Sequence, residues 1–192
     1  MKIFNLNNSF PFVKQKNQLD CGIACISMIA KYFGKSIKYT TLQESTNLSK
    51  EGVSFQNISE TLYKIGIDNV VVEFDIDKLI NESELPCILH WNNNHFVVLY
   101  KIKKKCFSKS YVFYIADPAH ELIKISQNDF KQHWINDNEK GFVLFLELTE
   151  KFFDIKNDNQ NITFYNLFKY LKPFKWNVSK IFFTLIISSL LT

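Results

Sequence analysis

Cys21 is the residue of this chain whose type and setting most suggest chemistry. It follows the short polar run Gln15–Asp20 and begins an apolar segment, Cys21–Phe33, that Gly34 stops. A cysteine where a loop becomes the first turn of a helix faces unsatisfied backbone N–H groups and the positive end of the helix dipole. Both favour a thiolate over a thiol, and the thiolate is the nucleophile. The ordinary fate of a free cysteine is that of a small, inert core residue. Nucleophilic catalysis therefore requires that the chain also supply a base, a group that orients the base, and an oxyanion donor.

Four histidines are candidates for the base: His90, His95, His120 and His133. Hairpin arithmetic singles out one. If 95–101 and 111–117 are paired strands with the hairpin centred in the Lys103–Ser110 loop, His95 falls opposite Asp117 or Pro118, and its ring can meet the Asp117 carboxylate across the strands. No other histidine gains a carboxylate so simply. Taken singly, His95 is equally well a solvent-facing strand-end histidine, and Asp117 a turn-initiating residue before proline. Their agreement is what gives the pair weight. For the oxyanion, Gln15 and Gln18 both precede Cys21 on the same loop and offer a side-chain amide beside the Cys21 backbone N–H. The pattern alone does not choose between them. A zinc site built on Cys21 and Cys25 is the other chemical option, but C-x-x-x-C within one helix lacks a second closely spaced ligand pair.

The elements that must hold these groups follow from periodicity. In the helix 21–33, Ala24, Met28 and Tyr32 share one face and Cys25, Ile29 and Phe33 the next, so the helix is apolar over a wide circumference and belongs inside. Phe10–Val13 is expected as a short strand and Thr40–Thr46 as a short helix. Ser54 caps a further helix through Ile65, which Gly66 ends. Asn69–Phe74 is strand-like, and Asp77–Ile80 forms one helical turn. From Leu85 the pattern becomes antiparallel sheet: Cys87–Trp91, the turn-prone triplet Asn92-Asn93-Asn94, His95–Lys101, Tyr111–Asp117, and Leu122–Ile125. Ser126, with Asp129 three residues on, opens a helix through Trp134, and Gly141–Leu148 closes the sheet.

Composition narrows the function. The 192 residues carry a formal net charge of +4, and all 23 basic side chains are lysine. Without arginine the bidentate reading of phosphates and bases is missing, so nucleic acid is not an expected partner. None of the five glycines stands in a G-x-x-x-x-G-K arrangement, which excludes a nucleotide-binding P-loop here. The N-terminus has no long apolar stretch of the secretory kind, so the four cysteines are expected to be reduced and cytosolic.

Past residue 150 the character changes. A polar linker, 156–161, precedes an amphipathic helix over Ile162–Lys172, and Lys169, Lys172, Lys175 and Lys180 lead into the apolar run Ile181–Leu191. That run reaches the end of the sequence short of the roughly 20 apolar residues that span a bilayer. The expected organisation is a domain at 1–150, a linker and juxtamembrane helix at 151–177, and the start of a first transmembrane helix at 178–192. The flanking lysines put the domain on the cytoplasmic side.

The assembled residues resemble the C39 peptidases, papain-like cysteine peptidase domains at the N-terminus of bacterial peptidase-containing ABC exporters. The resemblance covers about residues 9–150. It rests on Gln15-x5-Cys21-Gly22 followed by Ala24-Cys25, on Leu85–Trp91 with His95–Tyr100, and on Asp117-Pro118, supported by the segment GVSFQNISETLYKIG and by Phe130, Trp134 and Gly141. It implies an α+β papain-like fold, with the buried helix that carries the nucleophile packed on an antiparallel sheet. It also implies Cys21 as nucleophile, His95 as base and acid, Asp117 as orienting carboxylate, and Gln15 over Gln18 as oxyanion donor. The implied substrate is the double-glycine leader of a ribosomally made, bacteriocin-like peptide. The implied partners are the membrane and the transmembrane and ATPase domains of an exporter at the cytoplasmic face of the bacterial plasma membrane. No cofactor is expected in this chain, since ATP would serve only an ATPase domain that these residues do not contain. A relative of this fold that lacks the cysteine and only docks cargo is the rival reading, and the presence of Cys21, His95 and Asp117 together weighs against it.

Overall fold

A computed structural model describes residues 10–46, 53–106, 108–136, 138–155 and 157. The apolar segment after Asp20 forms helix α1 (Cys21–Tyr32), followed by α2 (Tyr39–Ser45) and α3 (Phe55–Lys64). Strand β1 (Ile67–Phe74) and helix α4 (Ile76–Glu82) lead into β2 (Cys87–Trp91), β3 (His95–Lys104), β4 (Tyr111–Ala116) and β5 (Leu122–Ser126). Helix α5 (Gln127–Trp134), strand β6 (Gly141–Leu148) and the short helix α6 (Glu150–Asp154) complete the described part. This is the expected α+β class with an antiparallel sheet.

The local reasons are visible at the helix ends. Ser54 and Ser126 each accept a hydrogen bond from the backbone N–H three residues on, at Asn57 and Asp129, and so satisfy one of the donors that a helix start leaves open. Gly66 sits just past α3 at φ +71°, where a side chain would also run into the backbone of α6 at Phe152.

The strands form a six-stranded sheet in the order β1-β6-β2-β3-β4-β5, with every neighbouring pair antiparallel. Both faces are covered, and for that reason central strands such as CILHW run apolar without a clean alternation. On one face α1 and its neighbours bury Ile23, Ile26, Ile29, Leu42, Ile58 and Leu62 against Ile88, Phe96, Val98 and Leu144. On the other, Leu79 of α4 and Phe130 and Trp134 of α5 pack against Leu89, Val97, Leu99 and Phe113. Ten consecutive residues of α1, from Cys21 to Ala30, are buried, as the wide apolar circumference implied. Gly22 lets the packing close in: a Cβ there would lie 2.9 Å from side-chain atoms of Val53 and Ile58, which would have to shift.

Several boundaries differ from those expected. Phe10–Val13 forms no strand; Phe10 instead buries its ring, stacked on Tyr100 at 4.6 Å. The turn at Asp77–Ile80 is a seven-residue helix, capped by Asp75 accepting from Lys78 N–H at 2.8 Å. Helix α6 was not expected: five residues at the edge of a composition change carry too little periodicity to announce it. Strand β3 continues through Lys104, which pairs with Tyr111, so the connection to β4 is shorter than the lysine-rich sequence implied. Among the described residues no helix is long and apolar enough to cross a membrane. The expected juxtamembrane helix and transmembrane start, and all but Asn157 of the 156–161 linker, lie outside the described residues.

Candidate active site

The site forms where the start of α1 meets the ends of β3 and β4. The β2–β3 hairpin turns through Asn92 and Asn93, both in the left-handed region at φ 49° and 59°. Asn tolerates that region, and Asn94 N–H closes the turn on the Trp91 carbonyl at 3.2 Å. His95 is the first residue after this turn and Asp117 the first after β4.

His95 Nε2 lies 2.8 Å from Asp117 Oδ1, with side chains 17% and 8% exposed. The contact forms, although the register differs from the expected one. Val98 pairs with Ala116, but Lys101 pairs with Tyr114, because Tyr100 is an extra residue in β3. A bulge of this kind shifts everything beyond it by one position. Continuing the register on the site side of the bulge sets His95 level with Ala119, so it reaches Asp117 diagonally and on the same face rather than directly across.

With Nε2 committed to Asp117, Nδ1 is the ring nitrogen left to face Cys21, with which His95 interacts electrostatically. Burial by itself favours the neutral imidazole. The hydrogen bond to Asp117, with the interactions with Cys21 and the Asp117 charge, outweighs it and holds His95 above its usual range, at about 9. Asp117 is likewise opposed by burial but receives hydrogen bonds from His95, His120 and Ala119 N–H, which lower it to about 2. The arrangement therefore stabilises an imidazolium between a sulfur and a carboxylate.

His120 is a part of this cluster that the sequence placed only among the candidate bases. Its Nδ1 lies 2.9 Å from Asp117 Oδ2, while its side chain remains 75% exposed. The Asp-Pro-x-His spacing, with Ala119 N–H turning back to Asp117 Oδ1 at 2.9 Å, is the signal that could have found it. The other two histidines stand apart. His90 contacts Phe55, Phe96 and Phe142, and burial, with the His95 charge nearby, lowers its pKa. His133 stacks on Trp91 at 5.3 Å, and its Nδ1 lies 2.8 Å from Asn92 Oδ1.

Gln15 is half-buried and tied to the same corner, its backbone N–H donating to the Pro118 carbonyl at 2.9 Å. Its side-chain Oε1 is buried with no partner among the described residues. Gln18 is exposed, and both glutamines line a groove of about 690 Å³ together with His95 and Asp117. Asp20, the residue before α1, does not cap the helix with its side chain. Its carboxylate instead accepts from Asn17 and Gln43, so it makes no claim on the first-turn N–H groups beside Cys21.

Cys25, one turn further along α1, is fully buried and donates to the Phe96 carbonyl at 3.3 Å. All four cysteines are free thiols. Among the described residues no group of three or more His, Cys, Asp or Glu is placed to hold a metal ion.

Comparison with known proteins converges on one family. The peptidase C39 family profile matches residues 9–151. The colicin V secretion/processing ATP-binding protein CvaB of Escherichia coli is 32% identical over 65% of this chain and 17% of its own length. The lacticin-481/lactococcin-DR transport/processing ATP-binding protein of Lactococcus lactis subsp. lactis is 30% identical over 73% of this chain and 19% of its own. The chain thus spans about a fifth of the length of these curated relatives. Among solved structures, a double glycine motif protease from an AMS/PCAT transporter, crystallised with its leader peptide, superposes with a TM-score of 0.64 at 29% identity. That match covers 72% of this chain and 91% of the protease.

Proposed function

Because the chain belongs to the peptidase C39 family, we propose that it is an active cysteine endopeptidase that removes double-glycine leaders from bacteriocin-like precursor peptides. The observation that carries the proposal is the cluster itself: His95 is held 2.8 Å from Asp117 and coupled electrostatically to Cys21, the first residue of a helix. A domain that only docked cargo would have no use for an imidazolium poised between a thiol and a carboxylate.

In this reading Cys21 attacks the carbonyl carbon of the second leader glycine. An S–C bond forms, and the carbonyl π electrons move onto oxygen. The Gln15 side-chain amide and the Cys21 backbone N–H stabilise that oxyanion. As the C–N bond breaks, His95 gives its proton to the leaving amine of the cargo. Water then attacks the thioester, His95 accepts its proton, and the leader departs as a carboxylate with the Cys21 thiolate restored. Asp117 keeps the ring oriented and its positive charge balanced throughout. The chemistry uses no metal or organic cofactor in this scheme.

The exporter context belongs to the same proposal. The chain acts as the N-terminal peptidase domain of an ABC exporter, at the cytoplasmic face of the bacterial membrane, with transmembrane and ATPase domains as partners. ATP use and transport belong to those partners. Incubating the purified chain with a synthetic precursor that carries a double-glycine leader tests the reading. Release of two fragments split after the second glycine is the expected result. A peptide that binds and remains intact would favour docking instead.

A further inference from the structure

The groove beside the cluster holds more than catalysis needs. It is lined by His95, Asp117 and Gln15, and among the described residues Cys21 is not part of its wall. Its wall also includes Leu19, Trp91, Ile123 and Ile125. Its volume of about 690 Å³ falls within the range of ligand pockets, roughly 300–1,000 Å³.

The direction of the groove follows from the proton. The leaving nitrogen must come within hydrogen-bond reach of His95 to be protonated, and it belongs to the first residue after the scissile bond. The chain on the cargo side therefore departs past His95 and Asp117, whereas the leader remains on Cys21 as the acyl group. We propose that this groove is a cargo-side subsite, which takes the first few residues after the double glycine and prefers apolar or aromatic side chains there. This rests on the peptidase reading above.

The lining chemistry defines the preference. Ile123 and Ile125 occupy the same face of β5, and Trp91 is stacked against His133. Among the described residues no lysine or glutamate lines the groove. The one carboxylate among its described lining residues, Asp117, is already bonded to His95, His120 and Ala119 N–H. An acidic side chain entering here loses hydration, finds no cation on the wall other than the histidines, and lies near the Asp117 charge. An apolar side chain loses only its contact with water. Asn94, exposed at the rim with no side-chain partner among the described residues, can bond the extended backbone of the departing segment.

The test uses the full 192-residue chain and synthetic precursors that share one leader and differ only in the first few cargo residues, apolar in one and acidic in the other. The apolar precursor is expected to have a kcat/KM about tenfold higher, the scale on which an apolar pocket discriminates. In Ile125→Asp that ratio collapses; because it is read within one preparation, partial misfolding does not disturb it. In parallel, the Cys21→Ala chain is titrated with the cargo segment alone, and the Ile123 and Ile125 methyl resonances are followed. They are expected to shift. Equal kcat/KM for both precursors, or a preference that Ile125→Asp leaves intact, overturns the subsite. If no precursor is cleaved while the methyl resonances still shift, the peptidase reading fails and the binding site stands. Absence of both signals overturns both.

Discussion

The thiol of Cys25 donates to the backbone carbonyl of Phe96 at 3.3 Å, joining the helix that begins with Cys21 to the strand that begins with His95. One helical turn separates the two cysteines, and the carbonyl belongs to the residue next to His95. The bond is thus a direct brace between the two halves of the cluster. Cys25 is more than a small filler of the core.

Burial pushes the Cys25 thiol well up, and the negative charges of Cys21 and Asp117 push it further, so Cys25 stays protonated and able to donate. Cys25→Ala removes the donor and leaves a small void. We expect a stability loss of about 1–3 kcal/mol and a severalfold fall in kcat/KM. Cys25→Ser, which keeps a donor, should retain more activity. Thermal melts and cleavage rates check both, and equal activity in Ala and Ser variants would remove the brace from the account.

Asp117 has two jobs that substitution can separate. Asparagine in its place can still accept from His95 and hold the ring, but it loses the charge that favours the imidazolium. Alanine loses both. Asp117→Asn is expected to lower kcat by roughly tenfold and Asp117→Ala by about a hundredfold or more, on the scale of positioned acid–base groups. In both variants the His95 pKa, read from its imidazole resonances, falls from about 9 toward its ordinary value.

The same pair gives stability a pH dependence with two limbs. The folded state raises His95 from 6.5 to about 9, so it binds that proton more tightly than the unfolded chain does. Its contribution is complete below about pH 6.5 and disappears as pH rises through about 9. Asp117 is lowered from 3.8 to about 2, so its contribution is present above pH 3.8 and disappears as pH falls through about 2. The difference in Tm between the parent and Asp117→Asn should therefore be largest between these limits and shrink on either side. A difference that is constant with pH would contradict the assigned ion pair.

Gln15 and Gln18 separate by kinetics. Removing one oxyanion donor costs about 10²–10³ in kcat in well-studied hydrolases. Gln15→Ala is expected to approach that loss with little change in KM, and Gln18→Ala to lose far less. Steady-state cleavage of one precursor by the two variants decides it; the reverse order would transfer the oxyanion role to Gln18.

Much of the scaffold was legible because its signals are local. Ser54 and Ser126 announce their helices, the Asn92–Asn94 triplet announces its hairpin, and α1 shows its burial in its own composition. The His95–Asp117 contact was legible in part: pairing arithmetic brings the right residues together, but a bulge at Tyr100 leaves no mark in composition, so the exact register was not readable. Choosing Gln15 over Gln18 needed the family resemblance, since two amides three residues apart on one loop look alike in sequence; the backbone bond from Gln15 to Pro118 ties Gln15 to the corner of the cluster. The Cys25–Phe96 brace and the second histidine on Asp117 join residues by tertiary packing and turn geometry, which periodicity does not encode.

Cys21 as the nucleophile is tested by one comparison. Parent chain and Cys21→Ala are incubated with the same double-glycine precursor, quenched in acid and read by mass spectrometry. The parent is expected to yield a leader ending in Gly-Gly and a cargo peptide with a free N-terminus, and Cys21→Ala to leave the precursor whole. Cleavage by Cys21→Ala at the parent's rate, or an intact precursor with both proteins, would contradict that role.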